Sequence, residues 1–408
     1  MNSARIELRA RAIDKEIETT KHHQLALKVL ESGRSEALST LHSGVDLVAH
    51  LPLEISSEIF LLCLPERPGV KPTFSPLLFL QICRSWRDIA LSTPSLWSRI
   101  YCGRLAGVAA DNLHLWLSRA KTLPLTITIS LPEDAPADIP TVLKKHAPQT
   151  KNLSVEVHSA AHAKAILTSF PILEVLELKL TYPWRGSAEL SKVCRDIIRA
   201  APRLLKCRIV NLPERGDISS IYPTQIPCPC LRELELSDGK LLLQLTLPAL
   251  ESLSVRNLNL PHADLQDFLS RSKPPLRSLR FEVSHNISVK SLRLVPSLTT
   301  LTLVFNNYSA ESLDVLSLLV ADAEFLPNLR EIIIRNWHHP RHDYDLLARV
   351  LEARSQLRSL RVFLPDPAQA NYTPTKECVA TLQSLSKQRP ETHVVLGYDD
   401  YNYLSPES

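Results

Sequence analysis

The chain has 408 residues, 44% of them apolar and 22% charged, with a formal net charge of +4. Single cores stop growing at roughly 250 to 300 residues, so several parts are expected, and the composition excludes wholesale disorder. The small dispersed charge gives no ground for a nucleic-acid surface, and no apolar run approaches the roughly 20 residues that span a bilayer, so no nucleic acid and no membrane are expected as partners.

Residues 1–45 come first. They contain no Pro and set Ile6, Ile13, Ile17, Leu27, Leu30, Leu38 and Leu41 along an amphipathic helix that weakens near Gly33. Thr20, Gln24, Glu31 and Arg34 at intervening seam positions argue against a coiled coil, which leaves folding back as the expectation and self-association through this helix as the alternative. The start MNSARIELRARAIDKEIE mixes Arg with acids, unlike a secretory or transit leader.

Residues 46–102 read as three short apolar helices. Leu51-Pro52-Leu53 opens the first, since Pro costs least where a helix begins, and EISSEIFLLCL sets Ile55, Ile59, Phe60 and Leu62 at helical spacing. A loop, PERPGVKPTFSP at 65–76, carries four prolines. FLQICRSWRDIALS then puts Phe79, Ile82, Cys83, Trp86, Ile89 and Ala90 on one stripe of a second helix, with Arg84, Arg87 and Asp88 toward water, and Pro94 with Leu96-Trp97 starts a closing segment. From these residues alone the segment is a small helical core.

The order Leu-Pro, Glu-Ile, Ile-Phe, Ile-Cys, Arg, Ser-Trp, Arg and Pro-Ser-Leu-Trp resembles an F-box throughout, and the long insert resembles the form common in mushroom-type fungal F-box proteins. The resemblance implies a three-helix module that docks a Skp-type adaptor and, through it, a cullin. The positions that match the docking pattern are Leu51, Pro52, Ile55, Ile59, Phe60, Cys83, Trp86, Leu96 and Trp97.

Beyond residue 120 a unit of Leu, two residues, Leu, one residue, Leu recurs, usually after Pro. Its copies are PILEVLEL, PRLLKCRI, CLRELEL, PALESLSV, PPLRSLRF, PSLTTLTL, PNLREIII and SQLRSLRV, with first anchors Leu173, Leu204, Leu231, Leu250, Leu276, Leu298, Leu329 and Leu357. A degenerate copy, TKNLSVEV, precedes them. The mean separation of about 26 residues lies in the range of leucine-rich repeats. Alternate apolar residues of each unit point inward on a short strand, and units bury that face only by stacking. Return helices are expected at 191–200, 264–271, 312–325 and 345–354.

The segment 103–395 is similar to the leucine-rich-repeat domains that follow many F-boxes. The fold class expected is therefore α/β: an N-terminal helix, a three-helix F-box, and a leucine-rich-repeat-like solenoid with a curved parallel sheet and helical return segments. The Asn that usually follows the last strand Leu in this family occurs only as Asn306. Residues 396–408 read as a loose polar tail.

No chemistry competes with binding. The nine glycines form no phosphate loop or nucleophile elbow. Pro340 keeps His338 and His342 from a helical i,i+4 pair, so WHHPRHDYD reads as a polar loop and no metal or cofactor is expected. The eight cysteines lack C-x-x-C spacing, and Cys228-Pro-Cys230 lacks a redox context, which indicates buried thiols in a reducing compartment, cytoplasmic or nuclear. No enzyme is expected. The function implied is client recognition in an SCF-type ubiquitin ligase, with a scaffold acting outside the ligase as the alternative. Arg256, Arg280, Arg335 and Arg361 fall at outward strand positions and suggest that an unknown client protein brings an acidic or phosphorylated segment, against the plainer reading of a solvated mixed-charge face.

Overall fold

The structure, a computed structural model, describes residues 17–18, 21, 28, 47–70, 73–104, 110–166, 169–181, 188–210, 225–257, 262–283, 289–305, 313–337, 344–365, 374–398 and 401–404. Almost all of the expected N-terminal helix lies outside these residues, as do Asn306 and His338, His339 and His342. Contacts divide the chain into two units, one of Met1–Pro65 with Pro72–Leu96 and one of Glu66–Lys71 with Trp97–Ser408.

The first unit contains helices Leu47–His50, Leu53–Leu62, Phe79–Ile82 and Arg84–Ser92. Pro52 sits one position before the second of these, and its carbonyl accepts the first helical hydrogen bond, from Ser56 N–H at 3.1 Å. Three aromatic rings close the core: Phe60 stacks on Phe79 with centroids 4.2 Å apart, and Trp86 lies 5.0 Å from Phe60. The buried Ser56 hydroxyl donates to the Val48 carbonyl at 2.8 Å, tying the first two helices together.

The single helix expected across 79–92 is interrupted. Cys83 is extended (φ −154°, ψ 175°) and caps the helix that follows. Its carbonyl receives the Arg87 N–H at 3.1 Å, and the Arg87 guanidinium reaches back to the Leu80 carbonyl at 2.9 Å, which supplies a partner the break leaves open. The expected apolar stripe is therefore split, and Ile82 is 47% exposed instead of packed.

In the second unit thirteen strands form one sheet: β1 (Arg99–Arg104), β2 (Leu125–Leu131), β3 (Thr150–Val157), β4 (Val175–Leu180), β5 (Lys206–Val210), β7 (Glu233–Asp238), β9 (Ser252–Asn257), β10 (Ser278–Val283), β11 (Thr300–Phe305), β12 (Glu331–Arg335), β13 (Ser359–Phe363), β14 (His393–Tyr398) and β15 (Tyr401–Asn402). Two short strands, β6 (Ile226–Pro227) and β8 (Leu245–Thr246), pair separately. In the large sheet every pairing is parallel and follows chain order until the last, β14 with β15, which is antiparallel. This mixed α/β arrangement, one strand per repeat laid beside the last, is consistent with a leucine-rich-repeat-like solenoid.

The recurring Pro has a local cause. In Phe170-Pro-Ile-Leu173 the Leu173 N–H bonds the Phe170 carbonyl at 3.3 Å, and the same i to i+3 bond forms in Ala201–Leu204, Cys228–Leu231, Leu247–Leu250, Val295–Leu298 and Leu326–Leu329. Pro at the second turn position presets φ and needs no donor there. The anchor Leu that ends each turn is buried, as are alternate strand residues such as Leu176 and Leu178, Leu253 and Val255, and Ile332 and Ile334.

Return helices lie at Ala188–Arg199, His262–Ser272, Asp314–Ala321 and Tyr344–Ala353, close to the expected segments. Arginines, one of them buried and two half-buried, join successive repeats. Arg354, 2% exposed, donates to the carbonyls of Leu319 at 2.7 Å, Asp322 at 2.6 Å and Ala323 at 3.1 Å, where the preceding helix ends. Arg389 bonds the Leu351, Arg354, Ser355 and Leu357 carbonyls of the repeat before it, and Arg271 bonds those of Leu242, Leu243 and Leu245. These cations fill the negative ends of helices and turns. Burial lowers the pKa of Arg354 and of Arg271, offset in part by Asp322 and Asp267 respectively.

Both edges of the sheet are covered in ways the sequence did not suggest. At the first, Tyr101 N–H of β1 donates to the Pro68 carbonyl at 2.6 Å, and the Arg67 guanidinium lies 5.3 Å from the Tyr101 ring centroid. The middle of the Pro-rich insert thus packs on the solenoid's edge strand. At the other edge, within the segment read as a polar tail, Gly397 and Tyr398 pair antiparallel with Asn402 and Tyr401. Asn402 Oδ1 accepts the N–H groups of Leu396 and Leu404, both at 3.1 Å, and a Cβ on Gly397 would lie 1.9 Å from the Tyr401 carbonyl oxygen. Edge strands present unpaired backbone groups, so covering them limits association.

Candidate functional site

Two surfaces carry the residues singled out from the sequence. The first belongs to the short helical unit. Among the described residues thirteen large apolar side chains are strongly exposed, and eight of them, Leu51, Leu53, Ile55, Leu62, Phe74, Leu78, Ile82 and Leu91, fall between residues 51 and 91. Scattered single apolar residues are ordinary, whereas an accumulation in one small unit is not.

The expected adaptor positions separate by burial. Leu51, Pro52 and Ile55 are exposed, and Ile59, Cys83 and Trp86 are half-buried. Phe60, Leu96 and Trp97 are fully buried in the free chain, unlike the other six positions. Phe60 is held by Phe79 and Trp86. Trp97 belongs to the solenoid unit, where its carbonyl accepts the Trp116 indole N–H at 3.1 Å and Arg119 lies 4.5 Å from its ring centroid. Leu53, Leu62, Phe74, Leu78 and Leu91 were missed as surface candidates, because helical spacing alone does not tell which apolar stripe faces the core.

The second surface is the solvent side of the sheet. In-register neighbours run Ser154, Glu177, Arg208, Glu235, Ser254, Arg280, Thr302, Ile333 and Arg361 from β3 to β13. Most charges cancel within it. Arg208 bridges Glu177 and Glu235 at 3.0 Å each, Lys206 meets Glu233 at 2.7 Å, and Lys179 meets Glu156 at 3.1 Å. Arg256 pairs with Glu282 at 3.5 Å and Arg361 with Glu331, while the Arg335 guanidinium lies 4.8 Å from the Phe363 ring centroid. Three of the four arginines offered for a client are therefore engaged within the chain, and Arg280 alone of the four is exposed with no ion pair among the described residues.

A depression of about 310 Å³ on this face is lined by Ser254, Arg256, Arg280, Glu282 and Val304, among others. Another of about 490 Å³ lies between the insert and β1–β4, lined by Arg67, Tyr101, Thr128, Ser154, Glu177 and Lys179. In the second, the Ser154 hydroxyl donates to Glu177 Oε2 at 3.0 Å, and Arg208 holds the other oxygen of that carboxylate. Among the described residues no cluster of three or more His, Cys, Asp or Glu could hold a metal ion, and no helix is long and apolar enough to cross a membrane. Cys228 is buried and Cys230 exposed, so they do not form a facing pair. Burial alone pushes the Cys228 thiol up to about 11.

No protein-family model matches the chain, and no curated protein matches it. Among solved structures, the leucine-rich repeat-containing protein LegL7 from Legionella pneumophila is similar at 15% identity and a TM-score of 0.37, over 71% of this chain and 91% of that one. The repeat architecture of the present chain rests on its own strand order and register.

Proposed function

We propose that the chain is a non-catalytic client-recognition subunit of a cullin-RING ubiquitin ligase, in which the 51–97 motif docks a Skp-type adaptor and the sheet face of the solenoid holds a client protein. The observation that carries this reading is the exposure of Leu51, Pro52 and Ile55 at positions the F-box resemblance assigns to the adaptor. Covering an exposed Leu or Ile is worth roughly 1.5 kcal/mol, so three or four such side chains contribute about 5–6 kcal/mol, short of the roughly 8 kcal/mol of a micromolar contact, and the rest of the docking surface would supply the remainder together with the cost of association. The chain would contribute proximity, and the bond-making groups would sit on other subunits.

Co-expression with a Skp-type adaptor followed by size-exclusion chromatography tests the proposal. A stable complex is expected for the native chain and its loss for Leu51→Ala with Pro52→Ala, with the far-UV spectrum of the repeats unchanged. Recovery of cullin with the adaptor separates a ligase from a scaffold. Failure of the native chain to bind the adaptor, or undiminished binding by the double variant, would sink the docking assignment.

A further inference from the structure

We infer that the solvent face of β10–β13 is a subsite for an extended client segment carrying one carboxylate and, two or three residues away, a large aliphatic side chain. This rests on the reading of the sheet face as the client side and names the chemistry it selects.

The residues that matter lie in two adjacent rows. One runs Arg280, Thr302, Ile333, Arg361 and the other Glu282, Val304, Arg335, Phe363, each residue beside the next on neighbouring strands. Thr302 and Val304 are buried and form a floor, and Ile333 and Phe363 are half-buried, with apolar surface still open to water. No corresponding apolar group occurs on β2 and β3, where the solvent row is Thr128 and Ser154. The face is thus polar at β2 and β3 and more apolar beside Arg280.

Charge decides the ligand. A dianionic phosphate is held well by two free guanidinium forks, but Arg256 is committed to Glu282, Arg361 to Glu331, and Arg335 to the ring of Phe363. Arg280 makes neither an ion pair nor a ring contact among the described residues, and it matches a single negative charge. Strands lie about 4.8 Å apart, so Arg280 and Ile333, two strands apart, are separated by about 10 Å. An extended segment advances about 3.3 Å per residue, which places its acid and its aliphatic side chain about three residues apart. The occupant is therefore an acidic-aliphatic protein segment crossing the strands.

The test pans a random 12-residue peptide phage library on the full chain and on Arg280→Glu, then measures affinities of the enriched peptides as synthetic material. Native protein is expected to enrich Asp or Glu two or three positions from Leu, Ile or Val. Arg280→Glu should weaken those peptides about tenfold, or about 1.4 kcal/mol. The same peptides with Lys replacing the acid should bind Arg280→Glu better than the native chain, a gain that misfolding does not produce. Ile333→Ser should reduce selection for the aliphatic residue while keeping the acid. The inference is overturned if no peptide is enriched, if enriched peptides lack the acid, if Arg280→Glu leaves affinity unchanged, or if phosphoserine in place of Asp improves binding tenfold. Adaptor binding is measured on the same preparations. Its loss in the native chain sinks the ligase reading without touching this subsite, whereas retained adaptor binding with no acidic selection sinks the subsite alone.

Discussion

Replacing Arg354 by Ala should be among the most damaging single changes in the solenoid. Its guanidinium donates to three carbonyls at the end of the helix Asp314–Ala321 and the turn after it, at 2.6 to 3.1 Å, and the side chain is 2% exposed. Hydrogen bonds from a charged donor are worth about 1.5 kcal/mol each net, and the acceptors left behind are only partly reachable by water, so the loss is about 4 kcal/mol. Domains commonly have stabilities of about 5–15 kcal/mol, so that loss is a large share. Repeats couple chiefly to their neighbours, so opening should concentrate in residues 300–365 and spread outward. Urea unfolding followed by far-UV circular dichroism gives the magnitude, and backbone hydrogen exchange gives the location. Arg354→Lys keeps the charge but not the three-pronged geometry, and should fall between native and Ala. A loss below about 1 kcal/mol for Ala, or exchange that rises evenly over the whole sheet, would refute the reasoning.

Other consequences can be read from the same geometry. Lys145 Nζ lies 3.0 Å from His114 Nε2, and His114 Nδ1 lies 3.0 Å from His146 Nε2, so the lysine makes His114 the donor to a neutral His146. Burial, then His114 and Lys145, lowers the His146 pKa to about 4. The folded state therefore resists a proton that the unfolded chain takes up near 6.5, and this contribution, about 3 kcal/mol at most, is full above 6.5 and lost as pH falls toward 4. Ring chemical shifts should show His146 titrating near 4, and a midpoint near 6.5 would exclude the arrangement. Cys63 and Cys230 are exposed whereas Cys194 is buried with its thiol pushed up to about 12, so a chromogenic disulfide should modify the first two at once and Cys194 only on unfolding. Gly397→Val cannot fit beside the Tyr401 carbonyl, and should release the β14–β15 pair with faster exchange at Leu396 and Leu404, without effect on β2–β5.

Much of the solenoid was legible because its signals are local. A Pro, the anchor Leu that closes its turn, and two apolar residues in alternation specify turn, strand and inward face within eight residues, and all eight copies became strands. The strands β1, β2 and β14 were missed for the same reason: they lack the complete unit, and neighbours recruit them. Burial within the candidate site was not legible from the motif. Phe60, Leu96 and Trp97 match the docking motif yet are buried, and the extended Cys83 turns Ile82 outward.

By itself, then, the sequence determined the repeat, its approximate period, the return helices and the motif order between Leu51 and Trp97. Tertiary structure decided which residues face one another across repeats. It put the insert's Pro68 against Tyr101, Arg354 beneath the carbonyls of a helix some 30 residues earlier, and a glutamate beside two of the four candidate arginines while leaving Arg280 without one. The physical reason is that turn and strand formation depend on neighbours in the chain, whereas charge pairing and capping depend on lateral register, which the irregular spacing of these repeats does not reveal until the strands are laid side by side.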